Sequence, residues 1–597
     1  MTVNLSALAG AGQQFFDNNG VILSGGKLYS YVAGTSTPQA TYTSASGATA
    51  HTNPIVLDSA GRVATGEIWL TAGSNYKFAL YTSTNTLLAT WDNITGINGT
   101  GIATDSASVS YTPAGTGAVT TTVQAKLRQY VSVQDFGVKG DGSNETTAIQ
   151  QAITSSAGKS LFFPAGTYKV TNLTISQEIN LIGEGYSLSQ ISQIAGSTGA
   201  VITISATRHP SMRHLSIAGT STGGDCVSIT GASSGNQFFD CFFTLAGRDG
   251  LHVSGTTDNV VVLDCIFENN GRHGVYFDYQ TVSGSVINSR FVTNVANGIV
   301  AYGNVTGPGH RFSENSIGGN VIGIQLLDQY YTNITNNILI INTSDGIQLN
   351  GASYCNVVGN ISNNNTGNGI TLKNDVVIST YNNISDNGCT LNANGIYLTS
   401  ANYNNITSNN VINNYAVGIG LVSSGNNTIS SNQILGNGLV STPKYGVYLT
   451  DSGTGASSLN RILGNNIDNL GNGALQTTGV YNGSAASNTI INNNNIVSTT
   501  PLNIAGGSVL SAGYNQGYIT ESSGAGAILS GTTSIVLSHG LSVTPTQEAF
   551  SIMPTGLTSN DPGQIYIDNI TSTQFTVNCR NNPGVSTLPF YWKATVY

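Results

Sequence analysis

Between residues 208 and 314 the chain concentrates the side chains with which it could do chemistry. That segment holds 14 formal charges in 107 residues and five of the seven histidines (His209, His214, His252, His273, His310), whereas residues 355–500 hold 7 charges in 146. Asp240, Asp264, Asn288 and Glu314 stand at equivalent places of a recurring unit. A carboxylate pair is what glycosidic hydrolysis requires, at roughly 5–5.5 Å for retention and 6.5–9.5 Å for inversion. A like-charged neighbour raises one member of the pair and so supplies the acid. If the units stack as strands, Asp240 and Asp264 lie about 5 Å apart, and Asp264 and Glu314 about 10 Å. Aspartate before a turn also accepts local backbone hydrogen bonds, so the same positions have a structural use.

Two further units, Gly247-Arg248-Asp249-Gly250 and Gly271-Arg272-His273-Gly274, repeat one period apart. They bring Arg248 near Arg272, a pair suited to the carboxylate of an acidic sugar. The same pair suits β-elimination, in which Arg neutralises a uronate and His or Tyr takes the proton. His252, Tyr276 and Val300 share one outward position, and Ser254, Asp278 and Tyr302 the next. Tyr276 and Tyr302 are expected to form a platform for sugar rings, with Asp278 between them. The candidate catalytic residues are therefore Asp264, Glu314, Asp240 and Asp278. The candidate binding residues are Arg248, His252, Arg272, His273, Tyr276 and Tyr302.

These positions have meaning only if successive windings lie in register. A Gly-apolar-x-apolar unit begins at Gly250, Gly274, Gly298, Gly323, Gly346, Gly369, Gly395, Gly418 and Gly446, at spacings of 24, 24, 25, 23, 23, 26, 23 and 28. Between these units sit Asn-rich turns such as Asn336-Asn337-Ile338, Asn432-Gln433-Ile434 and Asn494-Asn495-Ile496. The period is too short for helical solenoids, and alternation within each unit means strands. A winding of this length holds three short strands, each paired in parallel with its equivalent about 4.8 Å away. Asparagine repeated at one turn can stack into a hydrogen-bonded ladder. The expected fold is all-β, a right-handed parallel β-helix flanked by small N- and C-terminal β domains.

Composition agrees. Charged residues make up 8% of the chain, because stacked like charges repel where stacked amides attract. A net charge of −9 argues against nucleic acid as partner. Apolar residues at 39% argue against disorder. No apolar run is long enough to span a membrane, and the first residues lack the pattern of a secretory signal. The six cysteines form no Cys-x-x-Cys or Cys/His cluster, there is no calcium loop, and Gly137 to Gly142 lacks a phosphate-loop context. Neither metal nor cofactor is expected, and the thiols should be free and buried, as in a protein assembled in a reducing cytoplasm. The expected layout is an N-terminal β domain over 1–105, a Thr/Ser-rich linker over 106–127, the β-helix over 128–512 with a capping helix near 144–155, and a C-terminal β domain over 513–597.

Several stretches resemble known proteins. Gly25-Gly26-Lys27-Leu28-Tyr29-Ser30-Tyr31, Asn53 to Arg62 (NPIVLDSAGR) and Glu67-Ile68-Trp69-Leu70 resemble the head-binding domain of podovirus tailspikes. Val131 to Gly142 (VSVQDFGVKGDG) resembles the opening of pectate-lyase-like β-helices, and Ser530 onward resembles the small C-terminal domains of such tailspikes. The resemblance implies a homotrimeric phage tail protein, assembled in the host cytoplasm and acting at the bacterial surface. Its N-terminal domain would dock to the tail or an adaptor, its β-helix would bind and depolymerise a surface polysaccharide, and its C-terminal domain would trimerise or bind glycan. Hydrolysis is the expected chemistry; a lyase on an acidic glycan and a non-catalytic adhesin are the alternatives. Thr222 to Ile229 (TGGDCVSI) with Gly247 to Leu251 also resembles polygalacturonase strands. Gly224 replaces the first Asp there, Arg248-Asp249 stands in place of His, and no Arg-Ile-Lys follows, which leaves Asp225 an outside candidate.

Overall fold

The computed structural model describes residues 2–596 except 10–11, 98–104, 206–207, 304–306, 376, 441, 452–456 and 484–485. The chain divides into two compact units, Met1–Arg128 and Gln129–Tyr597. In the first, a four-stranded antiparallel sheet centred on Lys27–Val32 and Tyr76–Tyr81 is accompanied by a three-stranded sheet around Val3–Ser6. Leu28, Ile68, Leu70, Tyr76 and Phe78 fill its core. Of the end of this domain expected at 105, residues 98–104 lie outside those described. The stretch read as a linker carries a two-stranded ladder, Ser110–Tyr111 with Thr121–Thr122, and a short helix, Val123–Leu127.

The second unit is dominated by a parallel β-helix. Among the described residues its three faces hold 16, 15 and 14 strands, each paired with the strand one winding on. The expected amphipathic helix is Thr146–Ser155, which buries Ile149, Ala152 and Ile153 against the first windings. Strands of the first and second faces are mostly three residues long with the middle side chain pointing inward, whereas third-face strands turn two inward, such as Leu251 with Val253 and Ile324 with Leu326, so two apolar columns line that face. Phe243, Phe267 and Phe291 stack there at centroid separations of 4.7 and 4.9 Å. All six cysteines are free and buried, as expected.

The asparagine ladders are present. Asn315, Asn337, Asn360, Asn387, Asn409, Asn432, Asn465, Asn494 and Asn515 form one column at the corner between the first and second faces. In each step both the backbone N–H and the side-chain amide donate to the Oδ1 of the next residue down. Asn270, Asn294, Asn320, Asn342, Asn365, Asn392, Asn414 and Asn437 do the same after the second face. Corner backbone that a three-residue strand cannot pair is thereby satisfied.

Beyond the helix, Glu521–Ile528, Leu588–Thr595 and Phe550–Pro554 form one antiparallel sheet, and Ser534–Ser538, Gln574–Cys579 and Ile565–Asp568 another. Phe575, Phe590 and Trp592 are buried between them.

Candidate functional site

The loop that enters the third face buries charge at Asp225 and Asp249. Each winding passes through it just before a third-face strand. In the windings from residue 225 to 297 it presents Asp225, Asp249, His273 and Asn297 in one column. Asp225 Oδ1 accepts the Asp249 N–H at 3.1 Å, Asp249 Oδ1 accepts the His273 N–H at 3.1 Å, and His273 Nδ1 accepts the Asn297 N–H at 3.1 Å. Asn297 Oδ1 in turn accepts the Ile322 N–H at 3.1 Å. This ladder runs opposite to the asparagine columns, since here each side chain accepts from the following winding.

The remaining atom of each carboxylate faces the candidate site. Asp249 Oδ2 pairs with Arg272 Nη2 while Arg272 Nε donates to Oδ1 at 2.8 Å, a bidentate pair on a carboxylate with no solvent exposure. Asp225 Oδ2 lies 3.3 Å from His252 Nδ1, and Arg248 Nε lies 3.6 Å from Asp225 Oδ1. His252 projects outward from Leu251–Val253 and Tyr276 from Val275–Phe277, paired one above the other. The Tyr276 ring is boxed by His252 at 5.2 Å, His273 at 5.4 Å and the Arg272 guanidinium at 4.8 Å. On the far side of the imidazole, His252 Nε2 lies 3.7 Å from Asp278 Oδ2, beyond hydrogen-bond range, and is buried without a partner among the described residues.

The electrostatics follow from these contacts. Burial alone would push the Asp225 carboxyl up, but His252, the Asp249 N–H and Arg248 together hold it below the usual carboxylate range. Burial pushes His273 down to about 4, so it is neutral at pH 7. With its Nδ1 accepting from Asn297, its proton sits on Nε2. Burial, and then the Asp278 charge, raises the Tyr276 phenol, which remains a proton donor. His252 has two arrangements. With the proton on Nδ1 it donates to Asp225 and leaves Nε2 with a free lone pair; with the proton on Nε2, Nδ1 accepts from Arg248 Nη2 at 3.2 Å. A buried carboxylate that can only accept favours the first. Asp225, Asp249 and His252 each bring one ligand atom within 4.8 Å of the others, but Arg248 and Arg272 already supply the positive charge those carboxylates need.

Of the residues singled out from the sequence, the structure brings together Arg248, His252, Arg272, His273, Tyr276 and Asp278. Tyr302 follows the expected register after Ala301, but its ring pairs with Tyr279 at 6.2 Å rather than with Tyr276. The Tyr276–Tyr302 platform is therefore corrected to two separate aromatic groups, because Tyr276 turns toward His273 and Arg272. Asp240, Asp264, Asn288 and Glu314 do stack in consecutive windings, following the partners Phe239, Leu263, Ile287 and Ser313. They stand at a different corner, between the first and second faces, and are not brought to the Arg/His/Tyr group. All four occupy left-handed backbone (φ 48, 57, 46 and 62). Asp and Asn tolerate that conformation well, so the turn itself accounts for three of them. Asp240 bonds His214 at 2.7 Å, and Asn288 donates to Asp264 at 2.6 Å from its place between Asp264 and Glu314. Asp249 was missed, and Asp225 was only an outside candidate; the signal that finds both is a Gly-x-Asp or Gly-x-His triplet recurring just before the third-face strand.

Residues 322–496 match the family "Right handed beta helix region", and residues 130–393 match "Rhamnogalacturonase A/epimerase, pectate lyase-like". Solved structures similar to the chain include the A-module of mannuronan C-5 epimerase AlgE6 from Azotobacter vinelandii (18% identical over 64% of this chain and 99% of that one, TM-score 0.39). The tailspike protein of E. coli bacteriophage HK620 in complex with a pentasaccharide is 12% identical over 83% and 99%, with TM-score 0.47. Bacteriophage CBA120 tailspike protein 3 is 14% identical over 78% and 73%, with TM-score 0.45. The matched β-helix family description agrees with the observed fold. Among curated proteins none matches.

Proposed function

We propose that this chain is a phage tailspike that binds an acidic bacterial surface polysaccharide and cleaves it by β-elimination at the Asp225–Asp249–His252–Arg272–Tyr276–Asp278 cluster. The observation that carries the reading is His252, held through Nδ1 by buried Asp225 and left with an unpartnered Nε2, with Arg248 on the Nδ1 side of the ring and Arg272 over the adjoining Tyr276. Arg248, whose side chain is 49% exposed, binds the uronate carboxylate, with Arg272 behind it, and so acidifies the C5 proton. His252 Nε2 takes that proton, and Tyr276 gives its own to the departing glycosidic oxygen as the C4–O bond breaks and a C4–C5 double bond forms. Proton exchange from His252 back to Tyr276 closes the cycle. Asp278, whose side chain is 37% exposed, faces Nε2 at 3.7 Å, so substrate reaches it by displacing Asp278.

Supporting the polysaccharide part of this reading are the matched family description, which names a rhamnogalacturonase and an epimerase and is pectate lyase-like, and the tailspike-like motifs of the first 70 residues. The same resemblance carries the homotrimer and docking to a phage tail or adaptor protein as part of the proposal. Asp225 held below the usual range is the wrong direction for the proton donor of a hydrolase. Hydrolysis remains the second reading, because Asp264 and Glu314 stand at one solvent-open corner two windings apart. The test is digestion of purified acidic capsular polysaccharide, read by ultraviolet absorbance of unsaturated uronate ends and by product mass. Unsaturated ends support elimination. Products carrying an added water move the chemistry to the carboxylate corner, and binding with unchanged viscosity means a non-catalytic adhesin.

A further inference from the structure

A column of tyrosines lies well away from the cluster. Tyr331, Tyr354, Tyr381 and Tyr403 occupy the corner between the third and first faces, each in left-handed backbone (φ 56, 59, 57 and 59) and each about half exposed. Backbone bonds from Tyr331 to Ser353, Tyr354 to Thr380 and Tyr403 to Gly425 fix the column. The next bonds, Asn426 to Ser458 and Leu459 to Ser487, continue it. The rings stack at 5.5, 5.2 and 5.3 Å with interplanar angles of 21°, 11° and 16°, so their inner faces cover one another.

The series breaks at Asn426. Its short side chain leaves the last ring face of Tyr403 uncovered, and Leu459 stands two windings on, about 10 Å away. A cavity of about 350 Å³ occupies the gap, with Arg461, Asn488 and Ile490 along it. Arg248, Arg272 and Arg290 face carboxylates, but exposed Arg461 faces none among the described residues. Nor do the Asn426 and Asn488 side-chain amides have a hydrogen-bond partner there. An open aromatic face, an unpaired guanidinium and two free amides thus converge on a slot about as wide as one ring.

We propose that this notch is a second saccharide-binding site that takes an anionic sugar. The apolar face of the sugar ring lies on Tyr403, its carboxylate on Arg461 and its hydroxyls on Asn426 and Asn488. Six windings, about 29 Å, separate Val261–Leu263 beside the cluster from Asn405–Thr407 beside Tyr403. A short oligosaccharide therefore cannot fill both sites. The notch holds a polymer or its released end while cleavage proceeds elsewhere.

The inference goes beyond the proposed reaction and is tested without it. Full-length protein is titrated calorimetrically with tetrasaccharides of galacturonate, mannuronate and hyaluronate, and with their carboxyl-reduced forms. At least one acidic probe should bind a site that Tyr403→Ala and Arg461→Gln each weaken about tenfold, with Tyr403→Phe retaining it and melting unchanged. Carboxyl reduction should abolish the difference between Arg461→Gln and the parent. His252→Asn, which tests the cluster, should leave this site untouched, so failure of one reading is distinguishable from failure of the other. Equal affinity in parent and variants, no binding of any acidic probe, or a change of sedimentation mass in the variants without a change in saccharide binding would each overturn the proposal. The last outcome would assign the column to a second copy of this chain.

Discussion

Asp225→Asn isolates the role of one oxygen. Asp225 Oδ1 accepts the Asp249 N–H and serves the loop, and Oδ2 faces His252 Nδ1. Asparagine keeps the first contact by placing its carbonyl there, which turns its NH2 toward the imidazole. Nδ1 must then accept, the proton moves to Nε2, and the base is lost without loss of shape. General-base catalysis is worth about 10²–10⁴ in rate, so turnover should fall about 10³-fold, equivalent to about 4 kcal/mol of barrier. Stability should change by no more than about 1 kcal/mol, because the amide keeps a hydrogen bond to both the Asp249 N–H and His252, and Arg248, whose side chain is 49% exposed, rehydrates. The assay is initial rate on an acidic polysaccharide alongside a urea titration of the same preparation. Nitrogen NMR of His252 should show Nε2 protonated in the variant and Nδ1 protonated in the parent. Turnover within threefold of the parent would refute the His252 mechanism. A loss of turnover matched by a loss of several kcal/mol in stability would return Asp225 to a purely structural role.

Asp264→Asn and Glu314→Gln should each leave turnover within about threefold and melting unchanged, since both are exposed corner residues outside the cluster; an orders-of-magnitude loss in either would place hydrolysis at that corner. Asn409→Ala should cost about 4 kcal/mol, because it strips partners from the buried Ile384 C=O and from the Asn387 N–H and amide. Asn405→Ala, at an exposed neighbouring position, should stay within about 0.5 kcal/mol, and equal urea midpoints for the two would contradict the ladder's role. His310 is fully buried among Phe277 and Phe312, and burial lowers it to about 4. Below about pH 6.5 the unfolded chain binds a proton there that the folded chain does not. Stability should therefore be intact above that pH and fall by up to about 3 kcal/mol as pH drops toward 4. In His310→Asn that decline should be smaller, and an unchanged acid limb would rule His310 out as its source.

The solenoid was legible because its signal is redundant. Nine glycine units and a matching set of asparagine turns all state one period, and a slip at any of them would turn apolar side chains outward. The carboxylate column from Asp240 to Glu314 was legible for the same reason, and its register is the observed one. Its distance from Arg248 and Tyr276 was not legible. Periodicity tells which residues share a column but not which columns share a face, because that depends on how the turns fold around the corner. Two aligned columns therefore looked like one site. The Tyr276–Tyr302 platform failed at the next level down, since backbone register held while ring direction was set by Arg272 and His273, which lie on a neighbouring loop. The repeat Gly247-Arg248-Asp249-Gly250 does not reveal Asp249, because only burial against Arg272 makes it the least exposed charge of the cluster.

The column Asp225–Asp249–His273–Asn297 explains why a fold so averse to charge concentrates it here. A winding needs an acceptor for the N–H that enters its third-face strand, and an amide such as Asn297 or Asn394 suffices. A carboxylate meets the same need with one oxygen and still has a second to aim. In the windings around residues 225 and 249 that second oxygen is aimed at His252 and at Arg272. Replacing a ladder amide by a carboxylate thus adds a charge to the wall of the solenoid without opening the coil, provided a cation, an imidazole or, as at Asp345, a side-chain amide stands opposite it. Two acids in succession stand where Arg248, His252 and Arg272 are supplied together; the later acid of the column, Asp345, accepts the Asn368 N–H with Oδ1 and the Gln348 side-chain amide with Oδ2. Exchanging Asp249 for Asn should on this logic preserve the His273 N–H contact yet release Arg272 from its bidentate grip. The expected result is a modest loss of stability with a large loss of turnover, and a variant that instead failed to fold would mean that the carboxylate serves the coil with both oxygens.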